Sequence, residues 1–489
     1  MSSTQTAAPA PTGGMQRIPF PTQSYQHAQS PPLATALLVN FFSEQEPADA
    51  RTQAALMPTP GLDPQLVVGT GPIKAMNADF PSKIYVASGT RFYRLNFSAS
   101  PDDPIVVDDL GEIGTPSVPG LEDYRQMVTI AAGVMGAVVC VPPNAFTCTH
   151  DGPLSQLGGT FPGNAGSVTY LNGYFVFNSV VTNQFFVCLL MDPTDFDALD
   201  FASPDAVPNT LDRVITQRGE LWLMGVTGIE VWYDSGDQDF PFRRRAGSFI
   251  PFPASTPRSI ALADSSVFWV SAQGSVMRSV GYTAKRVSTH AIEELIRQHS
   301  STNILSAISY AQDGHIFYAI NFVNRTLVYD VATDCWHNRS SSTDGSARWL
   351  PDAATPTFSS EPLLGDSQSG KLFLPVPSLA TDDGVAVMRQ ATLPVLWANT
   401  RRAFCARVEI EMEVGGGFPA GDVMLEWSDD GGFSWTGGPR VMNAGTQYQT
   451  RKRVYTTRLG SFRQRVFRVT THGTTTLYAV DADIVSGAS

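Results

Sequence analysis

The chain has 489 residues, with 33 basic and 45 acidic side chains for a net charge of −12, and only 16% of positions are charged. With 41 glycines and 35 prolines, this composition excludes coiled coils and long helical arrays, and the acidic balance excludes a protein that coats nucleic acid over its whole surface. The length admits about three ordinary domains or one large β architecture.

Residues 1–15 are mostly small and polar and read as a flexible tail, with an extended arm over 16–70. The longest apolar run, Met127 to Val141, is interrupted by Gly133 and Gly136 and falls short of the roughly 20 residues that cross a bilayer. The five cysteines, Cys140, Cys148, Cys188, Cys335 and Cys405, are odd in number and contain no Cys-x-x-Cys. They read as buried free thiols rather than a disulfide framework.

Over residues 71–380 a loose repeat sets the architecture. A small residue in a turn precedes an aromatic and β-branched run at Ser82, Gly136, Gly173, Gly219, Ser265, Gly314 and Gly370, with spacings of 37 to 56 residues. A mean near 48 suits a four-stranded propeller blade. Each small sheet has two apolar faces, and radial stacking buries both, so the expected fold is an all-β propeller of six or seven blades. Two stacked sandwiches are the alternative.

One stretch interrupts the β pattern. From Val287 to Gln298, Ile292, Leu295 and Ile296 recur at helical spacing behind a Ser/Thr cap, predicting a short inserted helix on the propeller rim. A helix-mediated docking site is the other reading.

Residues 381–489 change texture. Glu409, Glu411 and Glu413 alternate with Ile410, Met412 and Val414, a period-two strand with one wet face. Further strands are expected at 423–427, 453–457, 465–470 and 475–480, giving a C-terminal β-sandwich or jelly roll. Within it, Ser428, Asp430, Gly432 and Trp435 fit an Asp-box hairpin, in which Asp430 binds turn amides and Trp435 packs beneath. Such boxes occur in sialidase-like propellers, so a carbohydrate-binding or sialidase-like protein is the alternative function. Trp222 and Trp269 would then line a groove, whereas core positions are expected for both. No P-loop, nucleophile elbow or zincin motif occurs, and the seven histidines lack ligand spacing. No catalytic, cofactor or metal residue is assigned.

Charge divides unevenly. Residues 1–400 hold 22 basic and 36 acidic groups, whereas 401–489 hold 11 and 9. Arg451, Lys452, Arg453, Arg458, Arg463, Arg465 and Arg468 are seven cations without an intervening acid, a possible DNA- or partner-facing stripe. A solvated strand face or a subunit contact explains them equally well.

A family resemblance then emerges in the centre of the chain. Trp222 and Gly225, then Glu230, Trp232 and Tyr233, then Phe240, Pro241 and Phe242 with Arg243 and Gly247 resemble the signature of the packaged-DNA stabilisation proteins of short-tailed phages, also called tail hub or nozzle proteins. Leu38 to Glu44 and Leu56 to Leu62 look like the family's opening segment. The resemblance implies a non-enzymatic virion component, assembled in the host cytoplasm into the tail, that forms a six-fold ring below the head-to-tail adaptor. It implies tail needle, fibre or spike proteins as further partners, and double-stranded DNA passing through the ring. An acidic protein with 28 arginines and 5 lysines suits a conduit wall to which DNA should not stick.

Overall fold

The computed structural model describes residues 14–21, 37–45, 54–97, 104–205, 210–237, 239–357, 361–398, 401–414, 422–445 and 449–486. The tail expected over 1–15 lies outside these residues up to position 13, and a strand begins at Gly14.

Six four-stranded antiparallel meanders follow one another at 73–112, 129–156, 165–202, 211–244, 261–286 and 306–339, here blades 1 to 6. A seventh sheet takes three strands from 351–376 and its fourth, Gly61–Val67, from ahead of blade 1. This seals the ring, because blade 7 is built from both ends of the propeller sequence. The expected turn-and-strand anchors sit before the second strand in blades 1 to 6 and before the third, Lys371–Val376, in blade 7. That offset is why the last spacing was the longest.

Apolar residues on both faces of each sheet explain the radial stacking. Seven core clusters each join one blade to the next, from Tyr85 and Val139 between blades 1 and 2 to Leu372 and Ile84 between blades 7 and 1. At roughly 25 cal/mol per Å² of apolar surface, this stacking is the main stabilising term for sheets too small to stand alone. Trp222 and Trp269 lie inside the core between blades 4 and 5. All five cysteines are free and buried, and burial pushes the Cys148, Cys188, Cys335 and Cys405 thiols up to about 11.

The inserted helix spans His290–His299. The Thr289 hydroxyl accepts from the Ile292 amide at its start, and Ala291, Ile292 and Ile296 are buried in the cluster between blades 5 and 6. It therefore fills an interblade core.

The C-terminal part is a β-sandwich. One sheet orders Phe41–Gln45, Ala54–Pro58, Thr475–Ser486, Ala403–Val414 and Gln449–Thr457; Gly14–Ile18 pairs with Thr475–Ser486. The facing sheet orders Leu37–Val39, Arg389–Thr392, Gln464–Thr471, Val423–Ser428 and Arg440–Met442. The N-terminal segment is thus woven into both domains rather than standing apart. Leu37–Val39 also pairs with the outer strand of blade 6 through Val39 and Asn338, so this second sheet and that blade are hydrogen-bonded into one.

A buried polar joint fastens the two domains. Asn40 Nδ2 donates to the Ser340 carbonyl at 2.9 Å and to that of Met388 at 2.7 Å. Arg339 donates to the Pro60 carbonyl at 2.9 Å and lies 4.0 Å over the Trp349 ring. Arg389 donates to the Thr59 carbonyl at 2.8 Å, and Asp382 accepts from the Leu62 amide at 3.1 Å. Burial lowers Arg389 to about 10 and raises Asp382, with the nearby guanidinium groups of Arg339 and Arg389 opposing the rise.

Candidate functional site

The propeller axis is the first place to look for a site. The first strand of every blade faces a central cavity of about 1300 Å³, lined by all seven blades. One mouth is crossed by the linker between blades 1 and 2. Arg258, ahead of blade 5, donates from Nε to the Gln126 carbonyl at 3.0 Å and from Nη2 to the Asp123 carbonyl at 2.8 Å. Arg125 in the same linker donates from Nε to Asp212 at the start of blade 4 at 2.9 Å. Blades 4 and 5 stand across the ring from this linker, so these contacts bridge the axis. Arg213 adds hydrogen bonds to the Pro257 and Ile260 carbonyls at 3.3 and 2.8 Å.

The signature residues of blade 4 form a structural unit. Glu230 is fully buried and accepts from Trp232 Nε1 at 3.0 Å, with Arg244 3.5 Å away. Trp222 and Trp232 lie on opposite faces of the sheet, in the cores toward blades 5 and 3. Phe240 and Phe242 meet edge to face, the Pro241 carbonyl accepts from the Ser235 amide, and the Gly225 amide donates to the Gly228 carbonyl. Tyr233 packs under the Arg245 guanidinium.

The Asp box folds as its sequence implies, but on the sandwich. Ser428 Oγ donates to Asp430 at 2.6 Å, the Ser434 amide donates to it at 2.9 Å, and the Gly432 amide donates to Ser428 Oγ at 2.7 Å. These hydroxyls and amides hold the Asp430 carboxyl well below its usual range. Trp435 is half-buried under the Arg468 guanidinium at 3.9 Å.

The seven-cation stripe is divided between two sheets. Arg451 and Arg453 lie on one sheet, where they pair with Glu411, and Arg453 also reaches Glu409 at 3.5 Å. Arg465 and Arg468 lie on the other. Arg468 pairs with Glu426 at 2.8 Å, while Arg465, only 1% exposed, forms two 2.7 Å bonds to Asp429 and lies 4.6 Å from the Phe462 ring centre. Lys452, Arg458 and Arg463 have no ion pair among the described residues. The stripe that the sequence reading allowed is not a single face, because 449–457 and 464–471 belong to facing sheets.

Three features escaped that reading. The linker across the axis carries no motif, and its bonds join residues 85 to 135 positions apart, Arg125 to Asp212 and Thr210 and Arg258 to Asp123 and Gln126. The joint residues Asn40, Arg339, Asp382 and Arg389 lie up to 349 positions apart. The third was visible but averaged away: between Arg125 and Arg213 there is no lysine or arginine, against seven aspartates. No group of three His, Cys, Asp or Glu side chains placed to hold a metal occurs among the described residues. Nor is any described helix long and apolar enough to cross a membrane.

A propeller whose ring is closed by its own N-terminal strand, joined to a C-terminal β-sandwich, defines the class: a tail-hub type structural protein of short-tailed phages. The chain belongs to the family of bacteriophage P22 Gp10, whose β-propeller matches residues 16–374 and whose β-sandwich matches residues 388–485. It is thus a packaged-DNA stabilisation protein of the virion tail. No curated protein matches the sequence. Among solved structures, a streptogramin B lyase is similar over 64% of this chain and 96% of its own, at 10% identity and TM-score 0.43. The extracellular domain of a protein described as a one-component system of B. thetaiotaomicron covers 85% of this chain and 60% of its own, at 10% and 0.43. PorZ of the Porphyromonas gingivalis type-IX secretion system covers 71% and 44%, at 10% and 0.37.

Proposed function

We propose that copies of this chain stand side by side as a six-fold ring below the head-to-tail adaptor, extend the DNA channel and retain the packaged genome until ejection. The match of both domains to the packaged-DNA stabilisation family carries this reading. The bridged axis supports the arrangement: a duplex whose major groove alone is about 12 Å wide does not thread a cavity spanned by Arg258 and Asp123. The passage is then the space between subunits, and the propeller is a stiff block in its wall. The role is non-enzymatic and works by sterics and charge, with release triggered by a change at the lower mouth where needle, fibre or spike proteins meet the ring. An overall acidic wall lowers DNA sticking. Particles assembled without this chain should package DNA and then lose it, with infectivity down by orders of magnitude; normal DNA retention in such particles contradicts the proposal.

A further inference from the structure

The rim of blade 3 presents an apolar patch inside the cation-free stretch. Residues 189–201 fold back along the strand Phe185–Val187: the Leu189 amide donates to the Asp195 carbonyl, and the Val187 amide to that of Asp200. This leaves Leu190 57% and Leu199 78% exposed, with Met191 and Phe201 also open to solvent. Asp192, Asp195, Asp197 and Asp200 surround them, and none has an ion pair among the described residues. Partial burial, together with the like charge of Asp197, raises the Asp200 carboxyl. A patch that is both apolar and uncompensated in charge marks an interaction surface.

Its complement lies on the same chain, at the sandwich end furthest from the propeller. The strand Thr475–Ser486 starts beside the domain joint, where His472 contacts the Thr343 carbonyl, and runs outward to Val485. At that outer end Phe404 pairs with Val485 and Ser461, the Ala398 amide donates to the Arg463 carbonyl, and the Arg458 amide donates to that of Ala406. Arg401, Arg402, Arg458 and Arg463 are exposed there, without ion pairs among the described residues, around Trp397 and Phe404, each about half exposed. The sandwich joins at blades 6 and 7, each three steps of seven around the ring from blade 3, so the two patches lie on different sides of the ring.

Building on the ring reading above, we propose that the acidic apolar rim of blade 3 receives the cationic aromatic tip of the sandwich of a second copy of this chain. The contact is heterologous, one patch meeting a different one, which is the kind that propagates around a closed ring. Leucines and aromatics supply the buried area, and the aspartate–arginine pairs set register and reject wrong neighbours.

Charge reversal tests it through native mass spectrometry of the full chain with its adaptor. Asp197→Arg with Asp200→Arg, and separately Arg458→Asp with Arg463→Asp, should each reduce ring population at least about tenfold, because like charges then oppose across the contact. Mixing the two variants in equal amounts should restore a ring of strictly alternating composition, since every contact is again complementary. That restoration also shows that both variants fold. Rings that persist in either variant alone, or a mixture of variants with wild-type melting that stays dispersed, overturn the proposal. So does a ring that stays whole while releasing the adaptor, which assigns the rim to the adaptor. A wild-type chain that forms no ring with the adaptor removes the ring reading and this contact with it, whereas a ring persisting in both variants removes this contact alone.

Discussion

Arg463 and Arg465 are two residues apart in sequence, yet they occupy opposite environments. Arg463 is exposed without an ion pair among the described residues, whereas Arg465 is enclosed by Asp429, the Leu459 carbonyl at 2.8 Å and three aromatic rings. Replacing Arg465 by alanine should cost about 3 kcal/mol or more in thermal unfolding, whereas Arg463→Ala should stay within about 0.5 kcal/mol. Equal effects would contradict the placement. At the domain joint, Asp382→Ala leaves Arg339 and Arg389 buried without their nearby carboxylate and should cost about 3–5 kcal/mol. His337 gives a pH signature. Burial pushes its imidazole down to about 3 from an ordinary value near 6.5, and its Nε2 has no hydrogen-bond partner. The unfolded chain therefore takes up this proton below about pH 6.5 while the folded chain does so only near pH 3, so stability falls with acidification across that window, by up to about 1.4 kcal/mol per pH unit. The neighbouring His315 has the opposite sign. Its hydrogen bond to Asp330 raises it, so its contribution is present at low pH and lost as pH rises through that raised value. Between pH 7 and 4 the urea midpoint of wild type should fall relative to that of His337→Phe as the pH drops; parallel curves would refute the assignment.

Elements tell how far local pattern reaches. Second strands of the blades were legible because each follows a tight turn and carries an aromatic, β-branched run that needs no distant partner to be recognised. The helix was legible from Thr289 and the spacing of Ile292, Leu295 and Ile296. Ring closure was not, because the pairing of Lys371 with Val67 joins residues more than 300 positions apart and neither strand has an unusual pattern. The closure rests on one tight passage: Gly71 adopts φ +74°, and a Cβ there would overlap the backbone of Ser369. Gly71→Ala should lower stability by about 2 kcal/mol or more, through strain and displacement of the closing strand; a neutral result would show that the seam gives way easily. The linker across the axis is held by Arg258 on backbone carbonyls, which any sequence offers, and by Arg125 on Asp212, a pair 87 positions apart that no local pattern links. Removing the bridge with Arg258→Ala should raise amide exchange across residues 117–126 by about tenfold or more, the loss of charge-assisted hydrogen bonds, with little change in blade exchange. Unaltered exchange in that linker would mean that the mouth is closed by other contacts.

For the molecule as a whole, charge is arranged by sector. Blades 2 and 3 carry aspartates without a single lysine or arginine, and the sandwich carries the positive balance. Counting charge over 1–400 and 401–489 hid the first of these, and ion pairing of Arg451, Arg453, Arg465 and Arg468 reduces the second. Only Lys452, Arg458 and Arg463 of that group lack an ion pair among the described residues, so its contribution to any DNA contact should give a log–log salt slope near −3, against about −6 were all seven cations free. A structure joined through Leu37–Val39 into both sandwich and blade, with a spanned axis, suits the stiff wall segment of the proposed ring. The account depends on such segments encircling the genome. Native mass of the complex between this chain and its head-to-tail adaptor tests that most directly: six copies per adaptor ring is the predicted result, and single copies bound independently would contradict it.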